Sequence, residues 1–213
     1  MKKFELTAEF VTDVFGKKLF RIKALVAFGN IEKGELGGFI EKEDNLSHAG
    51  NAWVSGNAQV SGNAWVSGNA WVSGNAQVSG NAWVFGNAQV FGNAWVSGNA
   101  QVSGNAWVSG DAQVFGNAQV SGDAQVFGNA QVSGDAQVFG NADYAVVAGF
   151  GRYFRTTTFF RCKDKILRVQ CGCFYGDLAQ FREIVKKTHG DSKYAKEYLA
   201  IADLMELHFS DEC

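Results

Sequence analysis

Between residues 49 and 143 the apolar positions of the chain recur at a fixed interval of six. Alanine occupies every sixth position from Ala52 to Ala142, and valine does so from Val54 to Val138. Within each unit the alanine and the valine are two residues apart, as at Ala52 and Val54. In an extended segment they therefore face the same way, and the Trp or Gln between them faces the other. This pattern predicts short strands whose Ala and Val side chains stack in a narrow interior.

The polar positions predict the corners between these strands. Each unit carries Gly followed by Asn or Asp, the residues that best tolerate left-handed backbone angles. The sequence contains no proline, so no strand loses a ladder hydrogen bond to one. Short strands separated by regular corners close into coils, and stacked coils share one core. The repeat therefore predicts a parallel β-helix and a mainly β fold.

The repeat unit also has a family resemblance. The stretch Val54-Ser55-Gly56-Asn57-Ala58-Gln59 resembles the hexapeptide repeat of left-handed β-helix proteins, with Val54 and Ala58 in the inward positions. The resemblance implies a left-handed helix in which three hexads form one triangular coil of eighteen residues. It is imperfect at the second place, where Ser or Phe stands instead of the usual small or acidic residue.

The spacing of the aspartates discriminates between two coil lengths. Asp111, Asp123 and Asp135 are twelve residues apart. A twelve-residue coil would stack these like charges about 4.8 Å apart, which is destabilising, whereas an eighteen-residue coil puts them on three faces. We therefore expect the eighteen-residue coil, and about five coils with a length of about 25 Å.

The flanks divide the chain into three predicted domains: residues 1–48, 49–143 and 144–213. Apolar residues alternate from Phe4 to Phe10 and from Phe20 to Phe28, which predicts a β-hairpin with its turn at Gly16-Lys17. An open β-helix exposes an unpaired edge, so we interpret 1–48 as a cap whose last part, from Gly37 to Leu46, is an imperfect first coil.

Residues 144–213 have a different pattern, which predicts a ββαα domain. Strands are expected over Thr156–Arg161 and Ile166–Cys173, followed by a helix from Asp177 to Gly190 and a second helix from about Ser192. The segment from Thr156 to Asp191 resembles the tail that follows hexapeptide repeats in uncharacterised phage and prophage proteins. That resemblance implies a phage context and supplies no mechanism.

Charge is distributed unevenly along the chain. The formal net charge is −2, and all 19 Lys and Arg residues lie outside residues 49–143. A rod without cations adds nothing to phosphate binding, so double-stranded nucleic acid is not expected as a partner. The N-terminus lacks the apolar run of a signal peptide, and no stretch approaches the roughly 20 apolar residues of a membrane helix. We expect a cytoplasmic protein without a membrane partner.

The strongest binding signal is a basic and aromatic segment in the C-terminal part. Guanidinium groups suit phosphate and aromatic rings suit bases, so the segment predicts a small phosphate-bearing ligand. A two-stranded sheet with a charged solvent face over a Phe core would explain the same pattern. The candidate ligand-binding residues are Arg152, Arg155, Phe160, Arg161, Lys163, Lys165 and Arg168.

The outward positions of the repeats carry six tryptophans. Exposed aromatic patches often mark an interface, which predicts a homo-oligomer or a protein partner. Aromatic packing between neighbouring strands, which stiffens the sheet, is the alternative. The candidate interface residues are Trp53, Trp65, Trp71, Trp83, Trp95 and Trp107.

Catalytic and metal signals are weak. The acyltransferases that share the left-handed β-helix use a histidine as general base, and the repeats here contain none of the three histidines. We expect no catalytic residue and no cofactor. Cys162, Cys171, Cys173 and His189 could bind zinc but lack the Cys-x-x-Cys spacing, and Cys171 and Cys173 could equally face a small core from one strand. Without an export signal these residues and Cys213 are expected to be thiols.

These observations favour a non-enzymatic binding protein with the β-helix as scaffold. The resemblance makes it a phage or prophage accessory protein that engages a host target, such as a defence component, or sequesters a nucleotide signal. The alternative class is structural, either a virion fibre segment or a self-assembling rod. An enzyme in the C-terminal domain is the third class.

Overall fold

The computed structural model describes residues 1–14 and 16–210, so Cys213 lies outside the described residues. In this range the chain forms a parallel β-solenoid, preceded by three longer strands and followed by a small sheet and two helices. The expected mainly β fold is confirmed.

The solenoid is built from strands of only two residues, each at the Trp-Val or Gln-Val of one hexad. These strands are β4 (Trp53–Val54), β5 (Gln59–Val60), β6 (Trp65–Val66), β7 (Trp71–Val72), β8 (Gln77–Val78), β9 (Trp83–Val84), β10 (Gln89–Val90), β11 (Trp95–Val96), β12 (Gln101–Val102), β13 (Trp107–Val108), β14 (Gln113–Val114), β15 (Gln119–Val120), β16 (Gln125–Val126), β17 (Gln131–Val132) and β18 (Gln137–Val138).

The coil contains eighteen residues, as expected. Each strand pairs in parallel with the strand three hexads later, so that Val54 lies beside Val72 and Val60 beside Val78. Three sheets result, and they form the three faces of the solenoid. We call them face A (β5, β8, β11, β14, β17), face B (β4, β7, β10, β13, β16) and face C (β6, β9, β12, β15, β18). The handedness implied by the family resemblance stays a prediction.

The interior is filled as the repeat pattern predicts. The Ala and Val side chains of the hexads form one continuous core, and nearly all of them have no exposed surface. The corners require glycine for two reasons. At Gly74, for example, φ is +69°, and a Cβ would lie 3.0 Å from the backbone oxygen of Gly92 in the next coil. A side chain there would be strained by both the angle and the close approach of the backbones.

Each corner carries a ladder of side-chain amides. Along one corner the Nδ2 of Asn51, Asn69 and Asn87 each donates to the Oδ1 eighteen residues later, at 3.0–3.2 Å. The three aspartates are the last acceptors, one at each corner, and they accept from Asn93, Asn105 and Asn117 at 2.9–3.0 Å. A carboxylate accepts but does not donate, so Asp suits the end of such a chain of hydrogen bonds.

The N-terminal residues extend face A. Strands β1 (Phe4–Thr12) and β2 (Lys18–Ala24) are antiparallel, and β2 pairs with β3 (Leu36–Ile40). Strand β3 pairs in parallel with β5, and Leu46 forms a parallel bridge to Val66. The imperfect first coil is therefore confirmed, and the solenoid has about six turns instead of the five counted from the hexads.

The first regular coil would leave carbonyl groups unpaired at its N-terminal edge. The Nζ of Lys3, which is almost fully buried, donates to the oxygens of Ala52 at 2.8 Å and Gly50 at 3.3 Å. At the next such corner the Nδ2 of buried Asn45 donates to the oxygens of Ala64 at 2.8 Å and Gly62 at 3.1 Å. Two polar side chains thus pair four carbonyls of this edge.

The C-terminal part contains a four-stranded antiparallel sheet with the order β19-β20-β21-β22. Its elements are β19 (Tyr144–Phe150), β20 (Arg155–Arg161), β21 (Leu167–Cys171), β22 (Phe174–Asp177), α1 (Leu178–His189) and α2 (Lys193–His208). The expected small sheet followed by two helices is confirmed, but the sheet has four strands instead of the two predicted. The outer half of β19 is largely exposed and lacks an apolar alternation, and Gly172, with φ +59°, divides the segment predicted as one strand into β21 and β22.

Strand β20 connects the solenoid to the helices. Phe160 belongs to the solenoid core, whereas its neighbour Phe159 belongs to a second core formed with the helices. On the solenoid side the hydroxyl of Thr158 accepts from the backbone N–H of Gln131 at 3.0 Å. The hydroxyl of Tyr144 donates to the oxygen of Gln125, and the N–H of Lys163 donates to the oxygen of Asp135 at 3.1 Å. The sheet therefore covers the last coil and pairs part of its edge.

Among the described residues, no helix has both the length and the apolar character needed to cross a membrane.

Replacement of Asn45 by Ala should destabilise the fold, because the carbonyls of Gly62 and Ala64 would lose their donors in a buried place. We expect the free energy of unfolding in urea to fall by about 2–4 kcal/mol. Asn129→Ala is the matched control, since this exposed asparagine makes no side-chain hydrogen bond in the described structure. Equal stability of the two variants would contradict the edge-pairing role.

Lys3 should give the stability a pH dependence. Burial lowers the pKa of Lys3 from 10.5 to about 8, so between these values the unfolded chain binds more protons than the folded one. The contribution of Lys3 to stability should therefore rise between pH 8 and pH 10.5, by up to about 3 kcal/mol. Urea unfolding of the native chain and of Lys3→Met across this range measures the difference. Parallel pH profiles of the two proteins would show that Lys3 titrates normally.

Candidate functional site: a basic and aromatic cavity beside the helices

The structure does not bring all the basic candidates together. Arg155 begins β20 and Arg161 ends it, which places their backbones about 20 Å apart. Arg161 donates to the backbone oxygen of Phe209 at 2.8 Å and stacks over its ring at 5.7 Å. Arg168 forms an ion pair with Asp164 at 2.7 Å. Arg161 and Arg168 therefore stabilise the C-terminal part instead of joining Arg155.

Three other candidates lie at or near the end of the solenoid. Lys163 and Lys165 belong to the exposed turn after β20, in which Lys165 has φ +64° and the N–H of Lys163 binds the solenoid edge. The Phe160 ring is fully buried in the solenoid core and packs near Tyr175, with ring centroids 6.4 Å apart. Phe160 cannot stack on a ligand, so the prediction for this residue is wrong. Its alternation with Phe159 places it on the solenoid side of the sheet.

Arg152 and Arg155 come together in the turn between β19 and β20. Both guanidinium groups lie over the Tyr153 ring, at 5.5 Å and 5.3 Å from its centroid. Neither arginine forms an ion pair with a residue that the structure describes. Phe154, which completes the turn, has φ +52° and is 72% exposed. This turn therefore presents two uncompensated cations and two accessible aromatic rings.

Beneath the turn lies a half-open cavity of about 220 Å³. Its walls come from three places: the β19–β20 turn, the β21–β22 turn and one side of both helices. The helical wall includes Ile184, Thr188 and His189 of α1 and Tyr198 of α2. Ile184 and Thr188 are one helical turn apart, so they share a side of α1. No sequence signal pointed to the place of Ile184 in a cavity.

The rings of the helical wall are held in fixed positions. His189 stacks on Tyr198 with ring centroids 5.8 Å apart, and the Tyr198 hydroxyl donates to the oxygen of Phe150 at 3.4 Å. Burial, followed by the influence of Cys171, raises the pKa of Tyr198 to about 12. The phenol therefore stays protonated at physiological pH and remains a hydrogen-bond donor. The cavity thus combines a cationic rim with a largely aromatic wall.

The cysteines lie in three different environments. Cys171 faces the helices and accepts a hydrogen bond from the Thr157 hydroxyl at 3.2 Å, and Cys173 is exposed in the turn. Cys162 lies on the opposite side of the sheet, in the solenoid core, and burial raises the pKa of its thiol. The expectation that Cys171 and Cys173 face one core from one strand is wrong, because the chain turns at Gly172.

The four zinc candidates are not assembled into a site. Cys171, Cys173 and His189 line the same cavity, but Cys162 is separated from them by the sheet. Within residues 1–14 and 16–210, no group of three or more His, Cys, Asp or Glu side chains is placed to hold a metal ion.

The tryptophans are not equally accessible. Trp53 is fully buried and packs edge-on against Phe28 at 5.3 Å, so its prediction as an interface residue is wrong. Trp71 is half-buried. The other four, Trp65, Trp83, Trp95 and Trp107, are 41–47% exposed. Trp65 and Trp83 contact each other edge to face at 5.8 Å, as the alternative of packing between coils requires.

Comparison with known proteins agrees with the fold of the repeats. Residues 58–74, 76–90, 100–116 and 118–134 match a family model described as YdcK Beta solenoid repeat. All four segments lie within the solenoid, and none reaches the cavity. A search of curated proteins found no match. The chain is a β-solenoid repeat protein with a scaffold-like fold.

The three environments predict different thiol reactivities. We expect iodoacetamide to alkylate Cys173 more than about tenfold faster than Cys162, because alkylation requires an accessible thiolate. Peptide mapping by mass spectrometry measures each rate, and unfolding in urea should make the rates similar. Equal rates in the folded protein would contradict the burial of Cys162. Protection of Cys171 and Cys173 by added zinc would restore the metal hypothesis.

Proposed function

We propose that this chain is a non-enzymatic ligand-binding protein in which the solenoid is a rigid scaffold. The cavity beside the helices binds one small phosphate-bearing molecule with a planar ring, the chemical class of a nucleotide. The observation that carries this proposal is the pair Arg152 and Arg155, which lie at the rim of a ring-lined cavity and pair with no carboxylate of residues 1–14 and 16–210.

Electrostatics favour an anion at the rim. No Asp or Glu lines the cavity. Glu197 is the nearby carboxylate on α2, and it accepts from the N–H of Gly151 at 2.9 Å and pairs with Lys193 at 3.4 Å. The negative charge of Glu197 is therefore partly compensated by Lys193 and by the N–H of Gly151. Two planar guanidinium groups above a low-polarity wall bind phosphate through bidentate, charge-assisted hydrogen bonds.

Size and shape favour a single small molecule. The volume of about 220 Å³ is below the roughly 300 Å³ at which pockets for drug-sized ligands begin. Tyr153 at the rim and His189 and Tyr198 in the wall provide flat surfaces on which a base can stack. A half-open cavity of this size encloses only part of a nucleotide, such as its base, and has no room for a folded partner.

Binding is favoured over catalysis by the contacts of the reactive groups. Cys171 receives its hydrogen bond from Thr157, and His189 stacks on Tyr198. A nucleophile and its base are normally within hydrogen-bond reach of each other, and no such bond between Cys171 and His189 is present among the described contacts. The phage context, with a host or defence target or a sequestered nucleotide signal, stays a prediction from the resemblance.

The alternative of a structural rod has one observation in its favour, the exposed tryptophans of the solenoid. Both ends of the solenoid are covered, however, by Lys3 and Asn45 at one end and by the C-terminal sheet at the other. Covered edges oppose growth from end to end, so only lateral assembly would be open to such a rod. A homo-oligomer of that kind stays a prediction.

The ligand can be sought directly in the protein purified from its native host. We expect denaturation to release a nucleotide in stoichiometric amount, identified by mass spectrometry. Nucleoside monophosphates should then bind the emptied, refolded full chain in equilibrium dialysis. Arg155→Ala should raise the dissociation constant by about ten- to a hundredfold, the range for one charge-assisted hydrogen bond, and Arg152→Ala should act similarly.

Lys196→Ala is the matched control, because it removes one exposed cation from α2 without touching the cavity. Its affinity should equal that of the native chain. Release of no small molecule together with no binding of nucleoside monophosphates would overturn the proposal, as would equal losses in Arg155→Ala and Lys196→Ala.

A further inference from the structure

A second concave surface lies on face A of the solenoid, remote from the cavity. The tip of the β1–β2 hairpin, at Thr12 to Val14, lies beside this face, and the two enclose a groove of about 350 Å³. The solenoid contributes Gln59, Ser61, Gln77, Ser79, Asn93 and Trp95. Successive coils are about 4.8 Å apart, so the groove presents the same chemical groups at a regular interval along the rod.

The hydrogen-bonding groups on the floor of the groove are largely uncommitted. Gln59 and Gln77 are paired neighbours on face A, and neither amide has a side-chain hydrogen bond in the described structure. Asn93 differs, because its amide is already part of a corner ladder. The groove therefore offers two neighbouring amides that can donate and accept. No group in the described part of the chain forms a hydrogen bond with either amide.

Trp95 closes one end of this row of amides. Its indole N–H donates to the Ser79 hydroxyl at 3.4 Å, which directs the ring over the groove, and the residue is 45% exposed. The groove thus places an accessible aromatic face beside neutral amides and hydroxyl groups. A tryptophan that is fixed by a hydrogen bond loses little conformational entropy when a ligand packs on it.

Charge restricts the class of ligand. Asp13 is the one charged residue of the lining, and the solenoid wall contributes none. A phosphate-bearing or strongly acidic polymer would therefore meet no Lys or Arg among the residues that line the groove. A sugar has the complementary chemistry: its hydroxyl groups both donate and accept, and the C–H face of its ring packs on an indole. An uncharged glycan leaves no charge unpaired against this neutral solenoid wall.

From this juxtaposition we propose that the face A groove binds a neutral oligosaccharide. One sugar ring stacks on Trp95, and the hydroxyl groups of the adjoining sugars bind the amides of Gln77 and Gln59 along the rod axis. A second copy of the chain is a poorer occupant. The hairpin tip, where Val14 is 94% exposed, stands beside face A. The flat face of a second solenoid would contact this tip before it reached the floor of the groove.

The test uses the full chain and a microarray of neutral and acidic oligosaccharides. We expect binding to one or more neutral glycans and none to the sulfated or phosphorylated ones. Isothermal titration with the best neutral glycan should then show a loss of affinity of about tenfold or more in Trp95→Gln, the size typical of a buried aromatic anchor. Gln is the residue that occupies the same position in other hexads, so this variant keeps the repeat intact.

Trp107→Gln is the matched control, because Trp107 is equally exposed but belongs to face B. It should bind as the native chain does, and Gln77→Ala should lose affinity about threefold or more. No binding to any neutral glycan, or equal losses in the two tryptophan variants, would overturn the proposal. A dimer in light scattering that Trp95→Gln dissociates would also overturn it, since the occupant would then be a second copy. Arg155→Ala should bind the glycan normally, which separates this result from that of the cavity.

Discussion

The structure depends on the pairing of each coil with the next. A strand of two residues cannot persist alone, and the solenoid contains little else. Its strands are stable because each pairs with strands eighteen residues away on both sides, and because the Ala and Val side chains stack into one dry core. Stability in such an array is a sum of contacts between neighbours. The same dependence makes the first and last coils the weak points of the fold.

The two ends solve this problem in different ways. At the first coil, Lys3 and Asn45 reach open carbonyls with single side chains, and burial lowers the pKa of the lysine to about 8. At the last coil a whole sheet covers the end. One side of β20 fills the solenoid opening with Phe160, and the other side supports the helices through Phe159. The cap at this end therefore also builds the cavity, because it carries the helices that form its wall.

The solenoid separates two kinds of surface chemistry. Its walls carry amides, hydroxyl groups and indoles. All Lys and Arg residues of the chain lie before or after the repeats. The cavity at the end of the chain, with Arg152 and Arg155, is suited to an anion, whereas the groove at Trp95 is suited to a neutral ligand. Both proposed sites belong to one chain, one on a wall of the solenoid and one in the C-terminal part.

The sequence by itself determined the solenoid, its eighteen-residue coil and the residues of its core, because a strict repeat restricts the inward positions to Ala and Val. It also predicted the two helices, since α1 carries its own capping residues Asp177 and Gln180. Only the tertiary structure decided which candidates meet. Arg161 and Phe160 lie on the same strand as Arg155, yet they make other contacts. The reason is physical: Phe160 alternates to the side of the sheet opposite Arg155, and Arg161 lies on the same side but at the far end of the strand. A cavity is formed by the elements that pack across it.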